Sequence, residues 1–136
     1  METTQFMNRS IPLPAWLRSA LWTTAVLNVF GAIAFFMPAL PLGRSLMGLP
    51  AVHPLYLWLI AEFIFLMGLA YGYCAWADRA PRFFLAMGAA GKLAFSITLI
   101  GFWLIGDLPL QTPLLGGADF VVGSLFIVWL VQTPRS

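Results

Sequence analysis

Four apolar runs of near-uniform length, separated by short polar or proline-rich breaks, limit what this chain can fold into more than any other feature. They fall at 16–37 ("WLRSALWTTAVLNVFGAIAFFM"), 55–76 ("LYLWLIAEFIFLMGLAYGYCAW"), 83–105 ("FFLAMGAAGKLAFSITLIGFWLI") and 114–131. At about 1.5 Å per residue, about 20 helical residues cover the roughly 30 Å of a bilayer's hydrocarbon core. Membrane strands would alternate apolar and polar residues, and these runs do not. The predicted fold class is therefore all-α: an integral membrane four-helix bundle, in one domain over residues 1–136. Short connections favour antiparallel neighbours.

Composition excludes the main alternatives. Only 9% of residues are charged and 61% are hydrophobic, whereas a soluble domain carries about a quarter charged residues. Seven basic residues, dispersed along the chain, are too few for a nucleic-acid surface. The expected surroundings are the lipid bilayer, with a second copy or another membrane protein as the candidate partner. A single cysteine and a single histidine rule out an intrachain disulfide and a His-rich metal site. Cys74 reads as a small packing residue and His53 as an interfacial one. No cofactor or metal ligand set is expected.

The flanks predict an orientation. Basic residues concentrate on the cytoplasmic side of membrane helices. Arg9, Arg18, Arg79, Arg82 and Arg135 fall on one side and Arg44 alone on the other. Both termini are expected to be cytoplasmic, in a bacterial inner membrane. Pro38 and Pro41 would stop the first span, and Pro54 and Pro113 would open the second and fourth. "AIA" at 32–34 resembles a cleavage site, but the long leader before the apolar core favours an uncleaved helix.

Each predicted span carries one strongly polar residue: Asn28, Glu62, Lys92 and Asp119. An ionised group at the bilayer centre costs about 2.5–3.5 kcal/mol or more, so the expected placement is inward, beside a partner. Helical spacing supports this for three of them. Gly88, Ala89 and Ser96 share a face with Lys92; Gly116 and Gly123 share one with Asp119; Thr24, Gly31 and Ala32 share one with Asn28. Small residues let membrane helices approach closely. The Glu62 face carries Trp58, Phe65, Leu66, Leu69 and Tyr73, and could wall a cavity with Tyr73 as a second polar group. "GLAYG" at 68–72 offers a G-x-x-x-G seam to another helix or to a second copy.

Counting residues along the spans puts Lys92 near the midplane, about 7 Å axially from Glu62 and about 10 Å from Asp119. Two acids and one base leave one negative charge over, and Glu62 is the candidate protonatable acid. Two readings stay open. Asn28, Glu62, Tyr73, Lys92, Ser96 and Asp119 could form a ligand- or proton-binding site, or Lys92 and Asp119 could be a structural staple with Glu62 reaching the outer interface. No nucleophile elbow, zinc motif or phosphate loop is present, so no catalytic residue is assigned.

The segments "LNVFGAIAFFMP", "GAAGKLAFS" and "GGADFVVGSLF" give the chain a resemblance to the DoxX-like small four-helix bacterial membrane proteins. That resemblance implies an accessory membrane subunit, since some members are described as partners of redox enzymes. Small multidrug transporters also have four short helices and a membrane glutamate, but theirs is in the first helix and Glu62 is in the second. The expected function is thus an accessory or small-ligand-binding membrane subunit. The alternative is a proton-coupled small-solute transporter acting as a dimer.

Overall fold

The computed structural model describes residues 12–37 and 48–133, all of them helix, turn or irregular chain, with no strand among them. Pro38, Pro41, Arg9, Arg44, Arg135 and most of the 38–54 connection lie outside the described residues. Five helices follow in order: α1 (Ala15–Phe36), α2 (Pro54–Trp76), α3 (Arg82–Leu104), α4 (Gln111–Leu115) and α5 (Gly117–Gln132). The first three of these are long and apolar enough to cross a membrane. The expected fourth segment, 114–131, is divided. Gly116 separates the short α4 from a 16-residue α5, and Pro113 lies inside α4 instead of opening the fourth helix.

The helices pack as two antiparallel pairs, α1 with α2 and α3 with α5, and α1 also touches α5. Arginines register each pair at the same end. Arg18, in the first turn of α1, donates from Nε to the Ala75 carbonyl in the last turn of α2 at 3.0 Å. Arg82, the first residue of α3, donates to the Leu130 and Thr133 carbonyls at the end of α5. The last carbonyls of a helix have no partner within it, and a cation there also faces the negative end of the helix dipole. Each pair is therefore tied where its backbone most needs donors.

Other ends are closed locally. His53 accepts from Leu55 N through Nδ1 at 3.2 Å, and Pro54 follows as the first helical residue. At the end of α3, Gly106 takes φ +87°, with Gly106 N bonded to Trp103 O and Asp107 N to Phe102 O. That double closure needs a residue in the left-handed region, which glycine enters without cost.

A core forms between the pairs near the arginine end, from Leu17, Leu21, Tyr71, Ala75, Leu85, Ala89 and Phe126, all 2% exposed or less. The outside is apolar too. Phe30, Phe63, Phe83 and Val131 are each more than 60% exposed. Large apolar side chains outside, with Asn28, Lys92 and Asp119 turned inward as described below, is the arrangement that lipid favours and water does not.

Candidate functional site

Lys92 stands midway along α3 on the face that also carries Leu85, Gly88, Ala89 and Ser96, and all five are buried. It is 7% exposed. Its ammonium forms an ion pair with Asp119 of α5, the one ion pair among the described residues. It also donates to Asn28 Oδ1 of α1 at 3.3 Å and lies 5.4 Å from the ring centroid of Tyr71 of α2. A lysine has three N–H donors and no acceptor. Here a carboxylate, an amide oxygen and an aromatic face surround it, one contributed by each of the other long helices.

Small residues make room for this cluster. A Cβ added to Gly68 would sit 2.9 Å from Asn28 Cβ and 3.2 Å from the Ala25 carbonyl, so α1 and α2 touch backbone to backbone there. That approach lets Asn28 donate from Nδ2 to the Ile64 carbonyl at 3.1 Å and turn Oδ1 toward Lys92. The "GLAYG" seam is thus made with α1 of the same chain. Gly88 makes way for Tyr71, whose hydroxyl would be 2.5 Å from a Cβ at that position. Gly123 lets α5 lie against Lys92 Cβ and Leu93. Phe84 and Phe126 hold the Tyr71 ring from either side, with centroids at 5.2 and 5.7 Å.

Asp119 is the acid that sequence counting placed farther from Lys92. The connection after α3 folds back and removes that distance. Ser96 donates to the Gly116 carbonyl at 3.1 Å, and a Cβ on Gly116 would fall 2.6 Å from Leu99 Cδ1. Helix α5 therefore begins level with residues 96–99, roughly 8–12 Å short of the end of α3 at 1.5 Å per residue. Asp119, in its first turn, starts beside Lys92 and also sits at the positive end of a helix dipole.

Glu62 and Tyr73 are placed otherwise than as walls of an internal cavity. Glu62 is exposed, and Trp58, Phe65, Leu66, Leu69 and Tyr73 around it are each more than 40% exposed. The opposite face of α2 carries Ala61, Gly68, Cys74 and Ala75, all buried. Close packing draws those small residues inward and turns the bulky face out. The inner cluster consequently joins Asn28, Lys92 and Asp119, with Ser96 fixing its geometry, and excludes Glu62 and Tyr73. Tyr71 is the member that residue-by-residue reading missed. Its signal was its spacing of three from both Gly68 and Cys74.

The cluster carries one positive and one negative group, so its formal charges balance. Thr24, fully buried one turn before Asn28, has the only buried side-chain polar atom without a hydrogen-bond partner among the described residues. No group of acids, histidines and cysteine among the described residues could hold a metal ion. No protein-family model, curated protein or solved structure matches this chain.

Proposed function

We propose that this chain is a multi-pass protein of the bacterial inner membrane, of DoxX-like four-helix type with cytoplasmic termini, that serves as an accessory subunit. In this reading α5 is the fourth span, and a partner membrane protein docks on the outer face of α2. The observation that carries it is the exposure of Glu62 on an otherwise apolar surface. Glu62 lies eight residues into α2, about 12 Å along the axis, within the depth that lipid occupies. An ionisable side chain there is costly and is ordinarily turned toward a partner. Lys92, the one membrane-depth cation among the described residues, is already engaged by Asp119 and Asn28. In this reading the matching cation belongs to another chain, on a helix that presents Lys or Arg at the depth of Glu62. The balanced inner cluster supports the same reading, because it leaves no unpaired charge between the helices for a solute to exploit.

Photo-crosslinking in native membranes tests this. A photoreactive residue in place of Phe65 or Leu66 should give an adduct with one other membrane protein, at a segment containing a basic residue. Glu62→Gln should abolish that adduct while the purified chain keeps its thermal stability. Adducts with lipid alone, or with a second copy of the chain, would overturn the proposal. The second outcome, together with Glu62-dependent flux in proteoliposomes, would favour the dimeric transporter.

A further inference from the structure

Arg18, Arg79 and Arg82 gather at one end of the molecule, and two of them are committed to helix-end carbonyls. Arg79 is not. It is exposed, and its side chain makes no hydrogen bond or ion pair with any described residue. Asp78, its neighbour in sequence, does not pair with it. Arg79, in the turn between α2 and α3, lines a groove of about 630 Å³ together with Ala70, Tyr73, Cys74, Pro81 and Phe84. That volume is within the roughly 300–1,000 Å³ of small-molecule sites.

We propose that this groove binds an anionic phospholipid, with its phosphate on Arg79 and an acyl chain along Ala70, Tyr73, Cys74 and Phe84. The walls come from α2, the α2–α3 turn and α3, and apart from Arg79 and the Tyr73 hydroxyl they are apolar. A phosphate meets two favourable features at the turn. One is the planar guanidinium, which suits phosphate oxygens in a two-point contact. The other is the start of α3, where Pro81 supplies no side-chain cap and the first N–H groups lack helical acceptors. The turn also stands at a helix end, the level at which headgroups lie, and basic pockets between membrane helices recognise anionic headgroups. A second groove of about 430 Å³ between α1 and α2, beside Trp22 and Trp76, has no charged residue and selects no headgroup.

The test uses the full chain, purified and delipidated in neutral detergent, with lipid retention read by native mass spectrometry. Phosphatidylglycerol and phosphatidylcholine of identical acyl composition are the probes. The wild type should retain phosphatidylglycerol about fivefold more than phosphatidylcholine, the factor expected from one basic residue at a membrane surface. Arg79→Gln should bring that ratio to about one, and Arg79→Lys should keep part of it. Ala70→Trp should lower retention of both lipids by filling the groove. Should that variant fail to fold, Arg79→Gln decides alone, because Arg79 holds no other part of the structure. Equal retention of both lipids by the wild type, or an unchanged preference in Arg79→Gln, overturns the proposal. So does displacement of phosphatidylglycerol by an equal concentration of oleate, which would make the site one for a free carboxylate.

Discussion

Gly68 of α2 lies directly against Asn28 of α1, close enough that a methyl group on the glycine would meet Asn28 Cβ at 2.9 Å. This contact sets more than the spacing of two helices. The Asn28 amide spans from the Ile64 carbonyl on one side to the Lys92 ammonium on the other. Its position therefore passes the α1–α2 distance on to the charged cluster.

Gly68→Ala should accordingly destabilise the protein by about 1–3 kcal/mol, the range for overpacking a tight contact. The Ala25 carbonyl on the far side of the contact is backbone and cannot swing away. Gly91→Ala is the matched control, because nothing lies within 4 Å of a Cβ at that position. It should leave stability unchanged or slightly higher, as alanine is the better helix former. Thermal unfolding of the two variants in the same detergent checks the contrast. Equal behaviour would mean that the Gly68 seam is not close-packed.

Lys92 and Asp119 should show strong coupling. Asp119→Asn leaves the buried Lys92 charge without its partner, at an expected cost of about 3–5 kcal/mol. Lys92→Met leaves Asp119, whose side chain is 29% exposed, and should cost less. The double variant Lys92→Met, Asp119→Leu removes both charges, and an apolar replacement of a buried pair is commonly neutral or stabilising. A double-mutant cycle on thermal unfolding should place the double variant near the wild type and both single variants below it, Asp119→Asn the lower. Additive losses would show that the two groups act independently. A double variant that is stable but no longer docks its partner would assign the pair a part in function beyond holding helices together.

The extent of α1, α2 and α3 was legible in the sequence to within a residue or two, because hydrophobic length is a local property. So was the buried face of Lys92, since Gly88, Ala89 and Ser96 mark it by helical spacing alone. The start of α5 was not legible. It depends on where the chain folds back after α3, which the Ser96–Gly116 hydrogen bond and the Leu99 contact decide across 20 positions of sequence. That one shift converts Asp119 from a distant acid into the partner of Lys92.

Glu62 and Tyr73 face outward for a different reason. The cost of a charge in lipid argued for turning Glu62 inward, and Tyr73 goes with it on the same face. Residues two apart in a helix diverge by about 200°, so turning Tyr73 outward turns Tyr71 inward. The decisive signal was the row of small residues at 61, 68 and 75, which repeats every seven positions and marks the contact face of α2. Packing of backbones outweighed the preference of a single carboxylate, and the exposed Glu62 is what remains of that conflict.

The fold-back after α3 is tied by a side-chain hydrogen bond. Ser96 is 3% exposed, and its hydroxyl is bonded to the Gly116 carbonyl at the junction of α4 and α5. Ser96→Ala removes this donor while the carbonyl keeps the Asp119 N–H at 3.1 Å, so a loss of about 0.5–1.5 kcal/mol is expected, that of one ordinary hydrogen bond. The loss should be local. Hydrogen exchange should quicken at residues 112–119, where the junction depends on that bond, and stay unchanged in α1 and α2, which do not touch it. Ser96→Thr keeps the hydroxyl and should retain the slow exchange if the added methyl is accommodated beside Leu99. Exchange that stays slow in Ser96→Ala would show that the glycine contact with Leu99 suffices to start α5 at this level, with Ser96 only filling space.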